Sequence, residues 1–134
     1  MCIVTVGSSR SNPLRDDDAP GVTGARAEAL AARYLNAQGL AIVARNFRTR
    51  FGEIDLIARD RDTLVFVEVR MRRSRRFGDA ISSITAAKRS RLVSAANGYL
   101  AMIGREPPCR FDAIVMQGLD PRTIEWQRDI LGVD

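Results

Sequence analysis

Apolar residues recur along this chain with two different periods, one helical and one alternating. Between Thr23 and Gln38, Leu30, Ala31, Tyr34 and Leu35 fall on one helical stripe, and Gly39 follows as a C-terminal cap. Residues 40–48 then read as a strand around Ile42 and Val43, closed by a tight turn near Thr49–Gly52. Two alternating runs come next, Glu53–Arg59 and Thr63–Met71, with Asp60-Arg61-Asp62 as the hairpin between them. Leu92, Ala95, Ala96, Tyr99 and Ile103 form a second helical stripe and predict a helix over Ser83–Ile103. Pro107-Pro108 separates it from a strand at Cys109–Met116. A last strand, Thr123–Ile130, follows the Asp120-Pro121 turn. The order α-β-β-β-α-β-β predicts an α/β domain in which a mixed sheet is flanked by two helices.

Residues 1–21 mix Ser, Arg, Pro and Asp without a period and are expected to form a flexible tail. Residues 22–134 are expected to form one domain, with no internal repeat. The Asp16-Asp17-Asp18 run reads as a solvated stretch of that tail, because adjacent side chains on a loose segment are not organised to chelate.

The hairpin carries the most information. A two-residue loop at Arg61-Asp62 sets Ala58 opposite Val65, Leu56 opposite Val67 and Ile54 opposite Val69, a wholly apolar face. The other face then pairs Ile57 with Phe66, Asp55 with Glu68 and Glu53 with Arg70. Two carboxylates directly opposite each other have Cβ atoms about 4.5–5.5 Å apart, and their repulsion opposes folding. A divalent cation between them removes that repulsion. A solvated edge, or pairing with nearby Arg side chains, would do so equally well, and spacing alone leaves both readings open.

Composition narrows the chemistry. The 134 residues include 21 Lys and Arg against 16 Asp and Glu, a net charge of +5 that favours polyanionic partners. There is no His, so imidazole catalysis and the usual zinc sites are excluded. The two cysteines, Cys2 and Cys109, are far apart and support neither a disulfide framework nor a thiolate metal site. Any metal must therefore be a hard ion on carboxylates, Mg²⁺ or Mn²⁺. No apolar run approaches membrane-spanning length, so no membrane partner is expected and the default location is the cytoplasm.

Several short motifs together resemble the YraN family of uncharacterised bacterial proteins. They are Gly24-x3-Glu28, Asn46-x-Arg48, Phe51-Gly-Glu-Ile-Asp-Leu-Ile57, Val65-Phe-Val-Glu-Val69, Ile84-Thr-x2-Lys88-x2-Arg91-Leu92 and Arg110-Phe111-Asp112. They span roughly residues 22–117. That family is similar to the restriction-endonuclease-like superfamily, near the archaeal Holliday-junction resolvases. The resemblance implies an α-β-β-β-α-β core and a metal site made of a helix acid, an Asp and a Glu-x-Lys, here Glu28, Asp55 and Glu68. Arg70 stands where that pattern has Lys. Arg stays protonated and cannot act as a base, but it can stabilise charge developing on a phosphate.

The remaining candidates follow. Glu28 lies three and seven residues before Ala31 and Leu35, near the inward side of the first helix. There it serves either the helix dipole or, as the resemblance implies, the metal. Lys88 precedes Leu92 by four residues on the same stripe, aimed either at the site, in place of the missing lysine, or past the core edge. Arg70, Arg72, Arg73, Arg75 and Arg76 make a basic run directly after the acid-bearing strand, suited to phosphate contacts, with Arg91 on the second helix. Phe77 either stacks on a base or plugs the core. Asp112 is expected to pair with Arg, and Trp126 to pack.

The leading expectation is a restriction-endonuclease-like protein that binds DNA, branched or structured, and cleaves it with Mg²⁺ or Mn²⁺. The alternatives are a non-catalytic nucleic-acid-binding module on the same fold and a protein-interaction domain with a basic face. A two-fold junction as substrate would suit a homodimer.

Overall fold

The computed structural model describes residues 20–72 and 86–131. The expectations for the tail, for Arg73, Arg75, Arg76 and Phe77, and for a helix start at Ser83 lie outside the described residues. Helix α1, Pro20–Ala37, packs its Ala-rich side inward, and Ala27, Ala31, Ala32 and Leu35 are fully covered. It ends at Gly39, whose φ of 98° lets the chain reverse while Leu40 N–H donates to Leu35 O at 3.0 Å.

Strands β1 (Ala41–Thr49), β2 (Gly52–Asp60) and β3 (Thr63–Arg72) follow, then helix α2 (Ala86–Ile103), strand β4 (Cys109–Gln117) and strand β5 (Glu125–Gln127). The sheet order is β1-β2-β3-β4-β5. Only β3 and β4 run parallel, because α2 carries the chain back between them. This is the α/β order expected from the sequence. The last strand is shorter than its pattern predicts. Pro121–Thr123 forms a 3₁₀ turn, capped by Asp120, which accepts from Arg122 N–H at 3.0 Å. Asp129 takes a φ of 56° and interrupts the extended run before Ile130.

The helices cover opposite faces of the sheet. Against α1 lie Leu56, Ala58, Val65, Val67, Ile114 and Met116. Against α2, through Leu92, Ala95, Ala96 and Tyr99, lie Ile54, Ile57, Leu64, Phe66 and Phe111. Strand β3 is therefore covered on both sides, which is why Leu64 to Val67 read as one apolar run. One polar group is sealed beneath the sheet's far end. Asp112 is 0% exposed and accepts from Arg110 Nε (3.0 Å), Trp126 Nε1 (3.0 Å) and Asp129 N–H (2.9 Å), so its charge is met by donors. Asp112 thus pairs with Arg as expected, and Trp126 packs edge-on to Tyr34.

Candidate active site at a split between two central strands

The β2–β3 hairpin closes as its sequence predicts and then departs from the prediction where the acids begin. Asp60 pairs with Thr63 around Arg61-Asp62, and Arg61 takes the left-handed φ of 60° that the turn needs. Ala58↔Val65, Ile57↔Phe66 and Leu56↔Val67 follow in the expected register, and there the ladder stops. The expected pairs Asp55–Glu68, Ile54–Val69 and Glu53–Arg70 do not continue it. Instead Val69 N–H donates to Asp55 Oδ2 at 2.8 Å. A side-chain carboxylate takes the place of a backbone carbonyl, and the strands part around it.

A backbone slip produces this. Ile54 and Ile57 both face α2, although they are three residues apart and a regular strand would put them on opposite faces. Ile54 therefore does not join the Leu56 and Ala58 face. Ala44 and Phe47 on β1 show the same odd spacing toward α2. The two slips meet, because Asn46 and Asp55 lie between the pairs Arg45↔Leu56 and Phe47↔Ile54. Asn46 has a φ of 51°, which Asn tolerates better than most residues. The acids thus sit where interior strands separate, not at an edge of the sheet.

Three carboxylates converge at the split. Glu28 on α1 is hydrogen-bonded to the side chains of Asn46 and Asp55. Burial raises the Glu28 pKa, and the bonds from Asn46 and Asp55 partly oppose it. Burial also pushes Asp55 well above the usual carboxylate range. The Glu68 charge pushes it further, the Val69 N–H works against the rise, and Glu28 and Glu53 add smaller pushes. Glu68, 8% exposed, faces Lys88 of α2, with Nζ 2.8 Å from Oε2.

The other expected residues divide. Arg70 is partly covered, with Nε 3.7 Å from Glu68 Oε2. It does not meet Glu53, which pairs across β1–β2 with Arg48 at 3.1 Å. Arg72 ends β3 and lines a cleft of about 640 Å³ with Gln117, Arg122, Thr123, Ile124 and Glu125. Arg91 is exposed on α2, and its backbone carbonyl packs against Gly52. Two residues carry site geometry without having been given a role by the sequence pattern. Asn46 bonds Glu28; its signals in the sequence are the Asn46-x-Arg48 motif and a poor strand former inside a strand. Gly52 touches α2 so closely that a Cβ there would lie 2.5 Å from Arg91 O.

Among the described residues, no three Asp, Glu, Cys or His side chains stand close enough together to hold a metal ion as placed. The Lys88 ammonium stands on Glu68, and burial holds the Glu28 and Asp55 carboxyls above the usual carboxylate range. The donor set is all-oxygen, the kind that a hard cation takes. Among the described residues, no helix is long and apolar enough to cross a membrane.

Fold and site together define an α/β protein of restriction-endonuclease-like architecture, with acids from α1, β2 and β3 and a lysine from α2 brought to one strand split. The chain belongs to the uncharacterised protein family UPF0102, whose family model matches residues 27–116; the YraN proteins are this family. It is 53% identical to a UPF0102 protein of Nitrosospira multiformis over 111 residues, 83% of this chain and 93% of that protein. A Nitrosomonas europaea UPF0102 protein is 54% identical over 109 residues, 81% of this chain and 92% of its own length. One from Ralstonia nicotianae is 49% identical over 127 residues, 91% and 95% of the two chains.

Proposed function

We propose that this protein binds nucleic acid, DNA foremost, and hydrolyses its phosphodiester backbone with Mg²⁺ or Mn²⁺ held by Asp55 and Glu68, with Glu28 assisting. One observation carries the reading: a buried Asp55 carboxyl set between Glu28 and Glu68, with Lys88 on Glu68. Folding alone does not favour like charges gathered out of water. The net charge of +5 suits the substrate.

A bound ion would lower the pKa of a water and polarise the phosphate. The protein's own groups do the rest. Val69 N–H fixes one Asp55 oxygen. Asn46 orients Glu28. Lys88 supplies from α2 the amine that Arg70 on β3 does not, and it can meet charge developing on the phosphate. Arg70 adds a second, permanent charge. Arg72 and Arg91 are suited to contacts with the flanking backbone.

The second reading, a binding module without catalysis, is favoured by Arg70 at the lysine position and by carboxylates that do not close into a three-ligand cluster as placed. Labelled four-way junction, duplex and single-stranded DNA separate the two. Each is incubated with wild type and Asp55→Asn in Mg²⁺, Mn²⁺ or EDTA. Metal-dependent cutting by wild type alone is the expected result. Shifted but uncut DNA in every lane establishes the module. No shift even at low salt points to a protein partner, because phosphate contacts give steeply salt-dependent binding.

A further inference from the structure

The β1–β2 turn presents an aromatic ring to solvent in a fixed position. Phe51 is 62% exposed, the most open of the large apolar side chains among the described residues. A lone exposed ring means little by itself, but this one sits on a turn tied down from three sides. Thr49 Oγ1 accepts from Phe51 N–H (3.0 Å) and Gly52 N–H (3.1 Å). Gly52 presses against the Arg91 carbonyl of α2, where a Cβ would find no room. The Thr49 methyl packs on α2 as well, 3.1 Å from where a Cβ of Gly98 would stand. The backbone of the turn is therefore held against α2.

One cation lies over the ring, the Arg50 guanidinium at 5.6 Å from its centroid, and Arg91 is exposed on the stretch of α2 that borders Gly52. The neighbouring acid, Glu53, is engaged by Arg48. The turn also joins the acid site by two routes. Phe51 is four residues from Asp55 along β2, about 13 Å. Arg91 is one helical turn from Lys88, which holds Glu68.

We propose that Phe51 is a stacking platform for an unpaired nucleic-acid base, with Arg50 and Arg91 on the adjoining phosphates. The ring gives every base a π-face, the arginines neutralise the backbone, and the rigid turn avoids an ordering cost on binding. In paired DNA the base faces are already stacked, so the platform selects single strands and the unpaired positions of branched molecules over duplex. This rests on the nucleic-acid reading above and gives it a substrate preference.

The test uses a short single strand carrying 2-aminopurine and its duplex, both in EDTA so that nothing is cut. Anisotropy reads affinity and 2-aminopurine quenching reads stacking, for wild type, Phe51→Ala, Phe51→Leu and Phe51→Trp. Phe51→Ala and Phe51→Leu are expected to weaken single-strand binding roughly tenfold and lose the quenching. Phe51→Trp retains both, and duplex affinity changes little. Thermal midpoints should match wild type, since the ring is mostly exposed. Equal single-strand affinity and quenching for wild type and Phe51→Ala overturns the proposal. So does an equal loss on single strand and duplex, or a wild type that binds neither. Cutting in Mn²⁺ is scored separately. A wild type that quenches but never cuts keeps the platform and removes the nuclease; one that cuts, with Phe51→Ala binding alike, does the reverse.

Discussion

Asp55 and Glu68 pose opposite problems at the scale of single residues. Asp55 has a charge the fold resists, while Glu68 has one that Lys88 satisfies. Asp55→Asn keeps an oxygen for Val69 N–H and discards the charge. At pH 8 in metal-free buffer it is expected to raise stability, because burial and the Glu68 charge both oppose the Asp55 charge. Urea denaturation checks this, and a lower midpoint than wild type would mean that the charge is fully compensated. Lys88→Met leaves Glu68 covered and without its ammonium, at a cost of about 1–3 kcal/mol. Adding Glu68→Gln should recover most of that loss, because the penalty belongs to the stranded charge and not to the missing contact. If the double variant is as weak as the sum of the singles, Lys88 acts through packing alone.

The informative elements are the two strands that slip together and the turn that joins them. Asn46→Ala keeps a Cβ in a left-handed backbone without asparagine's tolerance of it and removes the bond to Glu28, whereas Asn46→Gly removes the bond and the Cβ strain together. The alanine variant should therefore be the less stable of the two by about 1 kcal/mol. Equal stability would show that the slip relaxes once the side chain is gone. Gly52→Ala drives a methyl into the Arg91 carbonyl, and is expected to cost about 1–3 kcal/mol by levering the turn off α2. Near-wild-type stability would mean that the turn is not pinned there. Much of this level was legible in advance. The helical stripes, the strand order and the register from Asp60 to Leu56 all come from periods of local residues. The slip was not legible. It moves Ile54 to the other face without changing a single residue type, and the pattern of apolar positions reads equally well as an unbroken strand.

For the whole molecule, the raised carboxyls make stability depend on pH. Asp55 and Glu28 hold protons in the folded protein that the unfolded chain has already released above about pH 4. The folded state then binds more protons, so stability falls as pH rises through the folded values. These two groups should cost metal-free protein stability as pH rises from about 4 through their folded values, and Asp55→Asn should flatten the slope. Adding Mn²⁺ at pH 8 should recover the loss, since a cation among the carboxylates offsets their mutual repulsion. A profile that rises toward pH 8 would sink this account of the acid cluster.

By itself the sequence determined the elements, their order along the chain, the mixed α/β class and a short list of candidate residues. Helix and strand periods, turn residues and charge are properties of neighbours along the chain, and they need no knowledge of what packs where. Only the tertiary structure decided how those residues meet. Glu28, Asp55, Glu68 and Lys88 come from four elements, and their spacing in sequence does not constrain their spacing in space. Whether Glu53 would face Arg70 or Arg48, and whether Lys88 would reach Glu68 or solvent, turned on a one-residue slip and on the seat of α2 against the sheet. Both are set by close packing between distant segments, which no local pattern records.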